Sequence, residues 1–101
     1  MEKSTPHYNL DAIKAEVMVR GFDAFTRTAR DGAALLGLTG LEAVAVVLGL
    51  NRGMLLKSMT THADHRVWQD VYHAPCPNGR IAYIKLTLRT DGAVVIQFKE
   101  K

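Results

Sequence analysis

One window of this 101-residue chain concentrates side chains that can do chemistry. It runs from Lys57 to Tyr72 and holds Lys57, Ser58, His62, Asp64, His65, Trp68, Gln69, Asp70 and Tyr72. Three chemistries can be weighed against it. Metal binding would draw on His62, Asp64 and His65, yet a zinc site wants three or four protein ligands and the chain has a single cysteine. With His73 added the spacing still matches no metal motif, so solvated or hydrogen-bonded histidines are the ordinary reading and neither metal nor cofactor is expected. Nucleophilic catalysis would use Ser58, His65 and Asp70, which are the right residue types, but no nucleophile elbow surrounds Ser58. Cys76 lies between Pro75 and Pro77 in turn chemistry and reads as incidental.

The third chemistry is metal-free RNA cleavage. The 2′-hydroxyl loses its proton and attacks the adjacent phosphorus, charge builds on the non-bridging oxygens, and the leaving 5′-oxygen needs a proton or a nearby cation. Lysines can stabilise that charge. Tyr, His and Gln can position or transfer protons. Lys57, His62, His65, Gln69, Tyr83 and Lys99 supply such groups. Trp68 and Tyr72 are of a type that stacks on bases, set against the competing reading that both pack in the core.

Helices come first in the chain and strands later. Asn9 is a plausible helix cap, Leu10, Ile13 and Val17 recur at helical spacing, and Arg20-Gly21 should end that helix. Phe22 to Thr26 reads as a short strand. Thr28 can cap a second helix that Gly37 closes. Thr39-Gly40-Leu41-Glu42 matches a capping box, and the helix after it, apolar on nearly every side from Leu41 to Leu48, should be central and buried. Beyond Asn51-Arg52-Gly53 the period drops to two. Met54–Thr60, Val67–His73, Arg80–Arg89 and a last segment around Val94 to Lys99 read as strands. A three-residue loop at Thr90-Asp91-Gly92 opposes Leu88 to Val94, Leu86 to Ile96 and Ile84 to Phe98 on one face, with Lys85 opposite Gln97 and Tyr83 opposite Lys99 on the other. An apolar face can then sit on the helices while a basic face carrying an aromatic stays open, as a strand-built RNA site requires. Alternation sets Gln69 with Val67 and Val71, a set that would face the core.

Length and composition point to a single domain over residues 1–101 with one modest core. At 48% hydrophobic residues the chain is globular rather than disordered. No apolar run is long enough to span a membrane, the N-terminus lacks an apolar signal core, and the lone cysteine agrees with a reducing compartment, so a cytoplasmic location is expected. The net charge of +3 is unevenly spread. Residues 1–56 hold six Lys or Arg against six Asp or Glu, whereas residues 57–101 hold seven against four. A basic half suits a phosphate-rich partner, although a solvated charged surface reads the same way from charge alone.

The chain resembles the motility quorum-sensing regulator toxins, the MqsR family, small RNA endonucleases of bacterial type II toxin–antitoxin pairs with a RelE-like fold. The resemblance rests on Met1-Glu2-Lys3, Thr5-Pro6-His7, Lys57-Ser58-Met59-Thr60-Thr61, Asp64-His65, Trp68-Gln69-Asp70-Val71-Tyr72, Tyr83-Ile84-Lys85 and Phe98-Lys99-Glu100-Lys101. Residues 20 to 53 match in pattern only. The resemblance implies an α+β fold, with helices packed on one face of a mainly antiparallel sheet. It implies catalytic residues at Lys57, Gln69 and Tyr83; His62, His65, Lys85 and Lys99 are read from the residues themselves as RNA-binding groups. It also implies metal-independent cutting of messenger RNA at GCU-like sites, and a zinc-bearing, DNA-binding antitoxin of the MqsA type as partner. The loop around Cys76 and Pro77 departs from the family pattern. Two rivals remain at this level: a non-catalytic RNA- or DNA-binding module using the same basic face, and a protein that acts only by binding another protein.

Overall fold

The first half of the chain is helical because its caps and its apolar spacing agree. In a computed structural model describing Met1 to Lys101, Asn9 accepts a hydrogen bond from the Ala12 N–H and starts helix α1, Leu10–Arg20. Ile13 and Val17 on its inner face are buried, each worth roughly 1.5–3 kcal/mol of transfer free energy. Gly21 ends α1 at a positive φ of 58°, a conformation that suits glycine. The expected strand at Phe22–Thr26 is instead a 3-10 helix, Gly21–Ala24, followed by a single parallel bridge from Phe25 to Ile96. Helix α2, Arg27–Leu35, is capped by Thr26 rather than Thr28, its hydroxyl oxygen accepting from the Ala29 N–H. Helix α3, Gly40–Leu48, carries the capping box, with Thr39 and Glu42 each accepting from the other's backbone N–H. It is not buried all round: Ala43, Val46 and Val47 face the core while Leu41 is 83% exposed.

The second half forms a five-stranded sheet in the order β1, β2, β3, β4, β5, with every neighbouring pair antiparallel. The strands are β1 (Glu2–Lys3), β2 (Leu55–Thr60), β3 (Trp68–Pro75), β4 (Ile81–Leu88) and β5 (Val94–Glu100). β1 comes from the lead-in segment and pairs Glu2 with Met59. The β4–β5 register is the one the facing residues demand: Leu88 opposes Val94, Leu86 opposes Ile96, Ile84 opposes Phe98, and Tyr83 opposes Lys99. Gly92 takes the left-handed position of that loop at φ 88°.

Ile84, Leu86, Ile96 and Phe98 on one sheet face join Ile13, Val17, Ala29, Ala33 and Val47 of the helices in a single core. The architecture is therefore the expected α+β arrangement: three helices on one face of an antiparallel sheet. α2 lies close against β5, because a side chain at Gly32 would collide with the Phe98 carbonyl oxygen. No helix is long and apolar enough to cross a membrane.

A bulge in β2 decides which way the site residues point. Leu55 opposes Tyr72, and Lys57 then opposes Val71, so two steps along β2 match one along β3 and Leu56 is the extra residue. Continued without the bulge, the pairing begun at Leu55 would turn Lys57 toward the helices. The bulge re-aims it to the open face, a common use of bulges.

Candidate active site

Residues opposed across antiparallel strands share a face, so the register lays out the open surface in rows. The middle row is Lys57, Val71, Lys85 and Gln97 on β2 to β5. On one side lies His73, Tyr83 and Lys99. On the other lies Glu2, Met59 and Gln69 on β1 to β3, next to Thr87 and Val95 on β4 and β5. Lys57, Gln69, Tyr83, Lys85 and Lys99 thus share the face away from the helices. Gln69 does share a face with Val71, as alternation requires, but that face is the open one. Val71 is fully buried there without belonging to the helix-side core; aliphatic lysine stems suit such a neighbour.

The rows are about 7 Å apart, two residues of extended chain. Gln69 and Tyr83 are two rows apart, about 14 Å, with Lys57 and Lys85 between them. The three expected catalytic residues therefore make no hydrogen-bonded constellation. They mark a track along the strands, the right length for a polymer and too long for one small substrate.

Tyr83 is the most crowded point of the track. The Lys99 Nζ lies 5.3 Å and the Lys85 Nζ 5.9 Å from its ring centroid, and the His73 ring is 5.4 Å away. The His73 Nε2 is buried without a hydrogen-bond partner. Burial, and then the Lys101 charge, hold the His73 pKa below its ordinary value. Lys57 Nζ donates to Glu2 Oε1 at 3.0 Å, an ion pair with Lys57 35% and Glu2 62% exposed. Exposed pairs of this kind contribute about 0–1 kcal/mol, so a phosphate can displace the carboxylate.

His62 and His65 stand exposed on the loop between β2 and β3, and neither side chain makes a hydrogen bond. That loop adjoins the Gln69 end, so it is separated from Tyr83 and Lys99 by the length of the track. Asp64 between the two histidines is engaged by Arg66 at 3.1 Å, whose hydrogen bonds hold its carboxyl below the usual range. Two depressions accompany the track. One, of about 540 Å³, lies between Thr28, Asp31 and Leu35 of α2 and Tyr83, Lys85, Gln97 and Lys99 of the sheet. The other, of about 390 Å³, is lined by Arg66, Gln69, Thr87 and Arg89 among others.

Several expected participants lie elsewhere. Tyr72 is a core residue, 1% exposed. Trp68 points to the helix side, stacked on His7 at 5.0 Å with Lys3 Nζ 4.3 Å from its ring, so that face of the ring is already occupied. Ser58 is buried and donates to Asp70 Oδ1 at 2.6 Å, and Asp70 also accepts from the His7 and Tyr8 N–H groups. Ser58 and Asp70 therefore tie the lead-in to the sheet, and neither forms a triad with exposed His65. Cys76 is buried, which pushes its thiol pKa up. Two residues of the open face were not read as site residues in the sequence: His73 was weighed only as a metal ligand, and Glu2 only as part of the family resemblance. His73 carried a signal, since it alternates with Gln69 and Val71; Glu2 carried none, because a two-residue strand has no period.

Comparison with known proteins gives the chain's family. The family model described as motility quorum-sensing regulator, toxin of MqsA, matches residues 5–100. The mRNA interferase toxin MqsR of Escherichia coli (strain K12) is 40% identical over 101 residues, covering the whole of both chains. With a family match over nearly its full length and an end-to-end relative, this chain belongs to the motility quorum-sensing regulator toxin family.

Proposed function

We propose that this protein is an mRNA-cleaving toxin that cuts its substrate on the open face of the sheet, with Lys57, Gln69 and Tyr83 as its catalytic residues and no metal or other cofactor. The observation that carries the reading is the shared open face. Residues distant in sequence, on β2, β3, β4 and β5, bring Lys57, Gln69, Tyr83, Lys85 and Lys99 to one side of the sheet, opposite the helices. A module that merely bound RNA could use the lysines and the Tyr83 ring, but it gives no reason for Lys57, Gln69 and Tyr83 to occur together. Product analysis separates the two, because a binder leaves RNA intact.

In the proposed reaction the 2′-oxygen forms a bond to phosphorus as the bond to the 5′-oxygen breaks, leaving a 2′,3′-cyclic phosphate. The 2′-hydroxyl proton passes to a basic group, and the 5′-oxygen takes a proton in leaving. Lys57 and Lys85 stand in the middle row on either side of Val71, where the scissile phosphate lies, and offset its developing negative charge. Tyr83 gives or takes a proton beside them, with the Lys99 and Lys85 ammonium groups 5.3 and 5.9 Å from its ring centroid. Gln69, with His62 and His65 beyond it, holds the strand at the other end. Cutting favours GCU-like sites, stops translation in the cytoplasm, and is silenced by an antitoxin of the MqsA type; these parts follow from the family. End-labelled messenger RNA incubated with the protein in EDTA should yield discrete fragments with cyclic or 3′-phosphate ends. Intact RNA under those conditions, cut once magnesium or zinc is added, would contradict the metal-free step.

A further inference from the structure

We propose that the groove between α2 and the open face is a nucleobase subsite that selects a base bearing an exocyclic amino group, read by Asp31. The inference rests on the open face being the RNA-cutting surface and adds which part of the RNA the groove takes. Its volume, about 540 Å³, is large enough to enclose a base. Its two walls differ in chemistry. The sheet offers the Tyr83 ring with Lys85 and Lys99 beside it. The helix offers Thr28, Asp31 and Leu35, spaced three and four residues apart and so on one stripe of α2.

Two members of that stripe have no role in the fold. Leu35 is 84% exposed, an apolar side chain with nothing of this protein packed on it, in a groove whose other wall carries an aromatic ring. A flat base between them would bury both. The Asp31 carboxylate makes no hydrogen bond or ion pair within the protein, although Arg30 beside it pairs with Asp23. A carboxylate in a groove with two lysines weakens phosphate binding. It becomes favourable where the ligand presents N–H donors, as an exocyclic amino group does. Uracil carries its O4 carbonyl oxygen where cytosine carries that amino group, and O4 would face the Asp31 carboxylate as a second acceptor with no proton between them. Gln97, on the sheet wall, has both donors and acceptors to complete the base edge. The close approach of α2 to β5, which Gly32 permits, keeps the helix stripe beside the sheet.

The test uses short RNA oligonucleotides whose 2′-hydroxyls are methylated, so that they cannot be cut and binding is read apart from catalysis. Fluorescence anisotropy with cytidine and uridine hexamers should show the cytidine hexamer bound about ten-fold more tightly. Asp31→Asn, which replaces the carboxylate with an amide, should close that gap to within about two-fold at an unchanged melting temperature. Leu35→Ala should weaken both hexamers alike. Equal binding of the two hexamers by the unaltered protein, no saturable binding of either, or a gap that survives in Asp31→Asn would each overturn the subsite. A protein that shows the gap yet leaves ordinary messenger RNA intact would overturn the cleavage reading and leave the subsite standing.

Discussion

Strand β3 has two sides, and they are put to opposite uses. Trp68, Asp70, Tyr72 and Ala74 point to the helices, and each is committed. Trp68 is stacked on His7, Asp70 accepts from three donors, and Tyr72 and Ala74 are in the core. Gln69, Val71 and His73 point the other way. There Gln69 and His73 make no side-chain hydrogen bond within the protein, and the His73 Nε2 is buried without a partner. Asp70, the charged group on the helix side, is satisfied internally, which is how buried polar groups stabilise a fold. On the open side of the strand no such internal partner is found for the Gln69 amide or the His73 Nε2. Within β3 the window that looked most chemical in sequence is therefore divided by parity, Trp68, Asp70 and Tyr72 toward the helices and Gln69 toward the open face.

Substitutions on the two sides should fail in different ways. The largest effect on folding is expected at Asp70. Asp70→Ala strands the Ser58 hydroxyl and the His7 and Tyr8 N–H groups at a buried position, and should cost about 3–5 kcal/mol of stability. Urea unfolding reads this directly, and a loss below about 0.5 kcal/mol would erase the distinction between the sides.

A smaller effect is expected from acid. His73 and His7 are both held below their ordinary pKa chiefly by burial, with Lys101 and Lys3 respectively adding to it and Asp70 opposing it at His7. The folded state therefore binds these protons less readily than the unfolded chain. Their contribution to stability is complete above the unfolded pKa of about 6.5 and is lost as pH falls through it toward the folded values. The melting temperature should drop between about pH 7.5 and 5, and His73→Phe should flatten that slope. Identical slopes in both proteins would show that His73 carries none of it.

The smallest effect should come from Glu2. Glu2→Gln removes the carboxylate that competes with phosphate for Lys57, and should tighten RNA binding about two- to five-fold while leaving stability within about 0.5 kcal/mol. Weaker binding would mean that Glu2 holds Lys57 in a useful position instead of competing for it.

How much of this was readable depends on the range of the interaction. Helix caps at Asn9 and Thr39 are local and were legible, as was the β4–β5 register, which facing side chains and a three-residue loop determine together. The second helix was misjudged by two residues because Thr26 and Thr28 are equally good caps, and the bridge from Phe25 to Ile96 favours the earlier one. The face of Gln69 was misjudged because alternation sorts residues into two sets without saying which set meets the helices. Two valines suggested the core, but Tyr72 and Ala74 fill it. The bulge at Leu56 and the strand at Glu2–Lys3 depend on partners far along the chain and left no local mark. Within the site, Lys57 and Tyr83 were legible as polar positions on strands, whereas the α2 wall of the groove depends on tertiary packing alone.

The claim that most needs testing is that Lys57 and Tyr83 serve the reaction and not the fold. Single Ala variants of each should be compared with the unaltered protein by thermal melting and by the initial rate of cutting one defined messenger RNA. The account predicts stability within about 0.5 kcal/mol and cutting slowed roughly a hundred- to thousand-fold, the loss typical of removing one preorganised group that stabilises transition-state charge. Folded Lys57→Ala and Tyr83→Ala proteins that cut at the unaltered rate would contradict it and move the site off this face of the sheet.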